Sequence, residues 1–489
     1  MPKTTKTPTP DSDAQAAPPP LPYRPLLEHF SPEERATRGK AARQDAPRSS
    51  HGRWEPISSR PDPVELLEEQ SRERTQELIP IRYGRMLASP FAFFRGSAAI
   101  MASDLASTPR SGLNAQLCGD AHLSNFGIFA APDRSLLFDI NDFDETVPGP
   151  WEWDLKRLAA SFEVAMRNRG VERDTRREVV LRGVRTYRQS MAEFAAMRTI
   201  DVWYERLDTN AIFEELRNLA RAKDAAAVEQ MVAKAEQKDS MRALAKLTEV
   251  IDGSPRIVSK PPLIVPASEL LTGEALASFE KTIHEFLRNY AASLSDDIRQ
   301  LMAQYRFVQI ARKVVGVGSV GTRCWIVLTL GRDEQDPLFL QLKQAEVSVL
   351  ERYVGRSRYR NHGRRVVEGQ RLMQAASDVL LGWYKVLAFD GKVHDFYVRQ
   401  LWDGKSSLDI ETMPIGMFGP YADGCFWTLA RAHARTGDRI AISAYLGPGD
   451  VFDTAIANFS NAYADQNEQD FEALQAAEKS GEIVAQRDV

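Results

Sequence analysis

Cysteine is scarce in this chain: Cys118, Cys324 and Cys425 are the only three in 489 residues. They have neither the density of a disulfide scaffold nor the paired spacing of a zinc site, so a reducing cytoplasm is the expected compartment. Excess charge is lacking too, with a net −4 from 63 Lys and Arg against 67 Asp and Glu. No positive field would draw a polyanion, and nucleic-acid binding is not expected. No run of ~18 apolar residues occurs, and the N-terminus has no basic cap followed by an apolar stretch; neither membrane spanning nor secretion is expected. The seven histidines include no HExxH spacing, and no GxSxG elbow is present, which argues against a zinc peptidase or an α/β-hydrolase.

What is present is an ordinary globular composition, 43% hydrophobic and 27% charged. At ~150 residues per domain the length suggests about three domains or one large two-lobed body. Eight prolines fall between Met1 and Pro25, in a tract too poor in apolar residues to offset its ordering entropy; it reads as a disordered tail. From Phe30 to Trp54 the chain is polar and basic (Arg35, Arg38, Lys40, Arg43, Arg48), either an arm over the fold or, preferably, a solvated face. Order is expected from Asp62, a helix cap followed by Pro63 and, three residues on, Glu65. Pro80–Ser89, PIRYGRMLAS, sets Arg82 and Arg85 among apolar anchors ahead of a helix over Pro90–Ala106. Short strands follow from Leu113, then a long helical region from Trp153 to about Val250, and helix again over Thr272–Tyr305. At Val308 the pattern becomes that of a twisted sheet: strand, hairpin, strand, helix, strand, strand.

Within that sheet Gly316, Gly318 and Gly321 form GVGSVG. A dinucleotide fold needs a helix after such a loop. Here TRCWIVLTL follows, β-branched and aromatic, so the glycines sit in a hairpin of the kind that covers nucleotide phosphates. Lys343 lies mid-strand among apolar neighbours, where its ammonium needs a counter-charge. Glu368, on the next helix, is the preferred partner, with Glu346 and Glu351 as competitors. Far upstream, Cys118–Asn125 reads CGDAHLSN, and Asp120 with Asn125 has the Asp-x4-Asn spacing of a kinase catalytic loop. A strand later, LLFDINDFD delivers a cluster of acids suited to a hard divalent cation. Asp142 is the leading metal aspartate, with Asp139 and Asp144 as alternatives. Asp154, in PGPWEWDLKRLA, is either a helix cap or a hydrogen-bonded brace for the catalytic loop.

In kinases the glycine loop precedes the catalytic loop; here it follows by almost two hundred residues. The expected fold is therefore α+β, a two-lobed kinase-like fold that is circularly permuted and carries a large helical insert. Residues 1–55 would be tail and arm, 56–305 the catalytic lobe, 306–405 the nucleotide lobe and 406–489 helices packed on the catalytic lobe.

The runs PIRYGRML, CGDAHLSNFG, FDINDFDET, PGPWEWDLKRLA, VVEGQRLMQAASD and YADQNEQD resemble the signature of a bacterial family known only as a domain of unknown function, number twenty-two fifty-two. That resemblance spans about Arg38 to Ala477. The family is in turn similar to the kinase-like superfamily, where GDxHxxN matches the loop of aminoglycoside and choline kinases. His122 takes the place of that loop's second histidine, and Cys118 replaces the first. The resemblance and the motifs imply an ATP- and Mg2+-dependent phosphotransferase acting on a small-molecule hydroxyl. Asp120 and His122 would be catalytic; Gly316, Gly318, Gly321, Lys343 and Glu368 would hold nucleotide; Asn125, Asp142 and Asp144 would ligate metal. Nucleotidyl transfer on the same fold and a non-catalytic nucleotide-binding module are the alternative expectations. The acceptor and the oligomeric state are left open.

Overall fold

The computed structural model describes residues 30–209, 240–251, 253–388, 391–401 and 408–487. The expected disordered tail, Met1–Pro25, lies outside them. With 52% helix and 17% strand the chain is of the α+β class.

Order starts thirty residues earlier than the Asp62 cap suggested. Ser31 and Glu34 form a reciprocal capping box that opens helix α1 (Pro32–Asp45), satisfying two amides that would otherwise lack partners. The basic segment packs as an arm through Arg35, Arg43 and Arg48, while Arg38 and Lys40 stay exposed. Arg43 Nε donates to the Tyr445 carbonyl at 2.9 Å and Arg48 to that of Leu446 at 2.6 Å. These are the last carbonyls of a C-terminal helix, which attract cations and lack intrahelical donors. Asp62 does cap α2 (Pro63–Ser71), accepting from the amides of Val64 and Glu65. Then come α3 (Ile79–Met86), α4 (Pro90–Gly96) and α5 (Ala98–Leu105). The single helix expected over Pro90–Ala106 is thus broken at Ser97.

Four short strands build two hairpin-like pairs. β1 (Asn114–Leu117) pairs with β4 (Val147–Pro150), and β2 (Phe126–Ala130) with β3 (Leu136–Ile140), all antiparallel. The loops 118–125 and 141–146 therefore emerge side by side, and the Asn141 amide donates to the Asn125 carbonyl at 2.8 Å. Beneath them lies α6 (Glu152–Asn168), buried at every residue from Glu152 to Met166; a helix enclosed on all sides is the centre of a core. Around it pack α7 (Arg173–Ala196) and two C-terminal helices described below. The expected continuous helix to Val250 is interrupted: Gly170, at φ +66, turns the chain between α6 and α7. Residues 210–239 lie outside the described set, and Thr248–Ile251 and Ser254–Ile257 are paired strands, β5 and β6.

The second layer is one antiparallel six-stranded sheet in the order β11-β12-β10-β9-β8-β7. Its strands are β7 (Ile264–Pro266), β8 (Arg306–Lys313), β9 (Cys324–Leu330), β10 (Pro337–Ala345), β11 (Gly382–Leu387) and β12 (Val393–Gln400). β10 is buried at all nine positions. Leu338, Leu340 and Leu342 on one face meet Phe279, Ile283, Phe286 and Tyr290 of helix α8 (Gly273–Ala291). Strand alternation sends Gln341, Lys343 and Ala345 to the other face. Between β10 and β11 come α9 (Glu351–Val354) and α10 (His362–Met373), the latter packed on β11 and β12. The chain then returns to the α6 core as α11 (Phe418–Thr436), α12 (Arg439–Leu446) and α13 (Val451–Ser480).

Candidate functional site

The loop after β1 is held from below by one carboxylate. Asp154, in the first turn of α6 and 1% exposed, accepts from the Cys118 amide at 2.7 Å and the Gly119 amide at 3.0 Å. A buried carboxylate is tolerated only with such donors, and His433 Nε2 stands 3.4 Å away, itself joined to the Tyr187 hydroxyl at 2.9 Å. Asp154 is therefore the brace, not merely a cap. Gly119, at φ +85, lies against the Glu145 carbonyl, where a Cβ would strike it; the loop's turn requires glycine there.

That turn presents Asp120. Its carbonyl accepts from the His122 amide at 2.8 Å and from Asn125 Nδ2 at 2.9 Å, which leaves the Asn125 amide oxygen for another partner. Carboxylate oxygen Oδ1 accepts from Arg157 Nε at 2.6 Å, and Oδ2 is 3.8 Å from His122 Nε2. Burial pulls His122 down to about 4, so its ring is neutral at pH 7. Its Nδ1 has no partner among the described residues.

The 141–146 loop supplies the acids. Asp144 Oδ2 pairs closely with Lys343 Nζ, while Oδ1 accepts from the Tyr397 hydroxyl at 2.8 Å. Asp142 Oδ2 is 3.8 Å from the same ammonium. Burial alone would lower the Lys343 pKa, but the Asp142 and Asp144 carboxylates outweigh it and hold the group well above its ordinary value. The register explains the meeting: Lys343 lies opposite Tyr397 of β12, so both reach out of the sheet toward Asp144. Asp139, the third acid of the run, faces inward to Arg431 at 2.6 Å with both side chains 1% exposed. It is a core ion pair and not a ligand.

The glycine loop joins β8 to β9 and is tied down from outside. Arg74 donates to the Gly318 and Val320 carbonyls at 2.5 and 2.6 Å, Arg85 to that of Gly316 at 2.6 Å, and the Thr75 amide to that of Gly321 at 2.8 Å. Gly316 (φ +65) and Gly321 (φ +90) mark its two bends. Gly316, Gly318, Asp120, His122, Asn125, Asp142 and Asp144 all line one cleft of about 110 Å³. Motifs some two hundred residues apart thus share a single site.

Glu368 does not join it. It stands 3.7 Å from Arg364, one turn away on its own helix, and does not line the cleft. Of the competitors, Glu346 lines the cleft but accepts from Gln344 at 3.3 Å, and Glu351 lies near Arg365 at 3.6 Å. Lys343 takes its counter-charge from the acidic loop, not from a glutamate. Arg365 holds the α10 position facing that loop, donating to the carbonyls of Asp144 and Thr146 at 2.7 Å and of Glu346 at 2.8 Å.

Three cleft-lining residues, Arg74, Arg95 and Glu145, and Tyr397 beside Asp144 were not singled out from the sequence. Arg74 lies in the turn after α2 and Arg95 in α4, and Arg95 Nε is buried without a partner among the described residues. Tyr397 is one aromatic in a strand of them. Glu145 lines the cleft, and burial raises its carboxyl to about 7 against the pull of Arg365. The PIRYGRML run, with Arg85, and the FDINDFDET run, with Glu145, were the signals that this region matters.

Asp142, Asp144 and the Asn125 amide oxygen line the cleft as oxygen donors of the type a hard divalent cation takes. Among the described residues no group of three or more His, Cys, Asp and Glu is arranged to hold a metal alone.

An α+β body with a cleft between a helical layer and an antiparallel sheet is the class of protein these observations define. The chain belongs to the DUF2252 family, described as uncharacterized protein conserved in bacteria, whose model matches residues 74–477. No curated protein and no solved structure matches it. No described helix is long and apolar enough to cross a membrane.

Proposed function

We propose that the chain is a kinase-like phosphotransferase, permuted in lobe order, that moves the γ-phosphoryl group of ATP to a small-molecule hydroxyl with magnesium. One observation carries the reading: Asp120, Asn125, Asp142 and the Asp144–Lys343 pair meet under the glycine loop. The connectivity agrees. Strand, glycine loop, strand, lysine strand, helix, strand, strand is the succession that places a glycine-rich lid and a phosphate lysine over a catalytic loop. The expected cytoplasmic setting suits ATP chemistry.

In this reading Asp120 Oδ2 faces the acceptor, because Arg157 holds Oδ1. The hydroxyl oxygen attacks the γ-phosphorus, its proton passes to Asp120, the bond to the β,γ-bridging oxygen breaks, and ADP leaves. Neutral His122 beside Asp120 orients the acceptor by hydrogen bonding. Lys343 exchanges Asp144 for nucleotide phosphate, and Arg95 offers its guanidinium to the charge that develops on the moving group. Asn125, Asp142 and Asp144 would hold magnesium, which neutralises phosphate charge when bound.

A cleft of about 110 Å³ is smaller than the ~300 Å³ and more of an ordinary ligand pocket. Nucleotide must therefore lift the glycine loop, and the Arg74 and Arg85 bonds to its carbonyls are the ones that yield or travel with it. The deciding experiment incubates the protein with ATP, magnesium and a metabolite mixture and separates products by chromatography. ADP is the expected product. Pyrophosphate with an adenylated product would replace this reading by nucleotidyl transfer, and an unchanged melting curve across millimolar ATP with and without magnesium would remove nucleotide binding altogether.

A further inference from the structure

A second cavity, of about 710 Å³, adjoins the cleft. Gln70 of α2 belongs to both walls, and the chain passes from one to the other between Ala98 and Ala99 and between Glu346 and Val347. Its outer wall is the segment Glu351–Arg365, ERYVGRSRYRNHGRR, in which six of fifteen residues are arginine. Arg352, Arg356 and Arg360 line the cavity. The two carboxylates that line it are already engaged. Glu351 accepts from the Ser357 amide at 2.9 Å and lies 3.6 Å from Arg365, and Glu69 is 3.3 Å from Arg352. Arg356 and Arg360 have no partner among the described residues. Isolated exposed arginines are usually just solvated. Here they crowd one cavity whose acids are spent, so the space has a surplus of positive charge and of guanidinium forks, which match the geometry of phosphate oxygens.

We propose that this cavity seats the acceptor, and that the acceptor is a phosphate-bearing polyol: its phosphate lies against Arg356 and Arg360 and a hydroxyl reaches past Gln70 toward Asp120. The assignment rests on the phosphotransferase reading, and it turns the acceptor preference away from cationic amino sugars, which the arginines would repel.

The test uses the full chain and calorimetric titration without nucleotide. Glucose 6-phosphate and glycerol 3-phosphate are the probes, against glucose, glycerol, citrate and the cationic kanamycin. The expected result is binding of the phosphate esters at least tenfold tighter than the others. It should fall tenfold or more in the Arg356→Ala/Arg360→Ala double variant, whose sites are exposed and whose melting temperature and ATP-induced shift should stay at wild-type values. In turnover the double variant should raise KM for the ester and leave kcat unchanged. Equal or tighter binding of glucose, citrate or kanamycin, or undiminished ester binding in the double variant, would overturn the proposal. A wild-type protein that binds the esters but shows no ATP-induced shift would instead sink the phosphotransferase reading, so the two failures are told apart.

Discussion

Lys343 and Asp144 are 199 residues apart in the chain and form a close ion pair between sheet and acidic loop. Tyr397 braces the same carboxylate at 2.8 Å, and Arg365 fixes the loop's backbone from α10. The pair thus links the two halves of the cleft before any ligand arrives, and its ammonium stays charged at every physiological pH.

Replacing Lys343 by Met keeps its stem and deletes its charge. The ATP-dependent rise in melting temperature should shrink by most of its size, since a phosphate contact is lost. Stability without ligand should drop by about 1–3 kcal/mol, less than the ~3–5 kcal/mol for breaking a fully buried pair, because Asp144 keeps Tyr397 and is partly exposed to the cleft. Thermal melts with and without ATP and magnesium separate the two effects.

Glu368→Ala is the contrasting case. The side chain pairs with Arg364 one turn back on a partly exposed helix face, and such pairs are worth about 0.3–0.5 kcal/mol. Nucleotide affinity and turnover should match wild type within twofold. A tenfold loss of ATP affinity would mean that α10 swings in the bound state to bring this residue to Lys343.

These contrasts show which parts of the molecule were legible in sequence. Residues at fixed local spacing were: Asp120 and Asn125 sit on one tight loop, and the glycines on one hairpin, so spacing alone set their relation. The acids of LLFDINDFD were readable as a cluster but not individually, because whether Asp139 faces Arg431 or the cleft depends on a helix from the far end of the chain. Lys343 was known to need a counter-charge, yet its partner lay across the fold. The basic arm was misread because its acceptors are helix-end carbonyls, which leave no trace in side-chain pattern. Arg95 and Tyr397 carry no spacing signal at all.

Asp154→Asn should disturb the catalytic loop more than its small change in size suggests. Two amides, Cys118 and Gly119, now donate to a carboxylate; an amide side chain can accept from one of them while its own N–H faces the other. A cost of about 1–3 kcal/mol follows for the donor left without an acceptor. In the proposed reading turnover should fall further than ATP affinity, because the loop carries Asp120 and the nucleotide would lie on the sheet side. Denaturant melts and nucleotide titration on one preparation check both.

Glu145 gives a pH dependence of definite sign. Its carboxyl is raised to about 7, against an unfolded value near ~4.3. Between these two values the native state holds a proton that the unfolded chain has lost, so this residue's contribution is full at low pH and is lost as pH rises toward 7. His122, lowered to about 4, acts oppositely and costs stability as pH falls below ~6.5. Glu145→Gln isolates the first effect: the gap between variant and wild type should move in favour of the variant by about 2 kcal/mol from pH 5 to pH 7.5, at ~1.4 kcal/mol per pKa unit. Urea melts at both pH values provide the measurement; a gap that does not change with pH would show Glu145 to be ionised throughout.

Asp120→Asn separates chemistry from binding. Arg157 holds one carboxylate oxygen and the other faces the acceptor, so the variant keeps the loop's shape but loses both the proton acceptor and the charge paired with Arg157. ATP affinity should stay within a few-fold of wild type, since Asp120 touches no proposed nucleotide contact. Turnover should fall by 10²-fold or more, in the range ascribed to a general base, with kcat and kcat/KM reduced together because the lost interaction is made in the transition state. The residual activity should show no step near pH 6.5: His122 is already neutral there, and its own titration lies about two units lower. Nucleotide affinity by calorimetry and ADP release from the same preparation give the two quantities. Turnover undiminished in this variant would take Asp120 out of the reaction and leave the Asp142–Asp144–Lys343 group to bind nucleotide without transferring it.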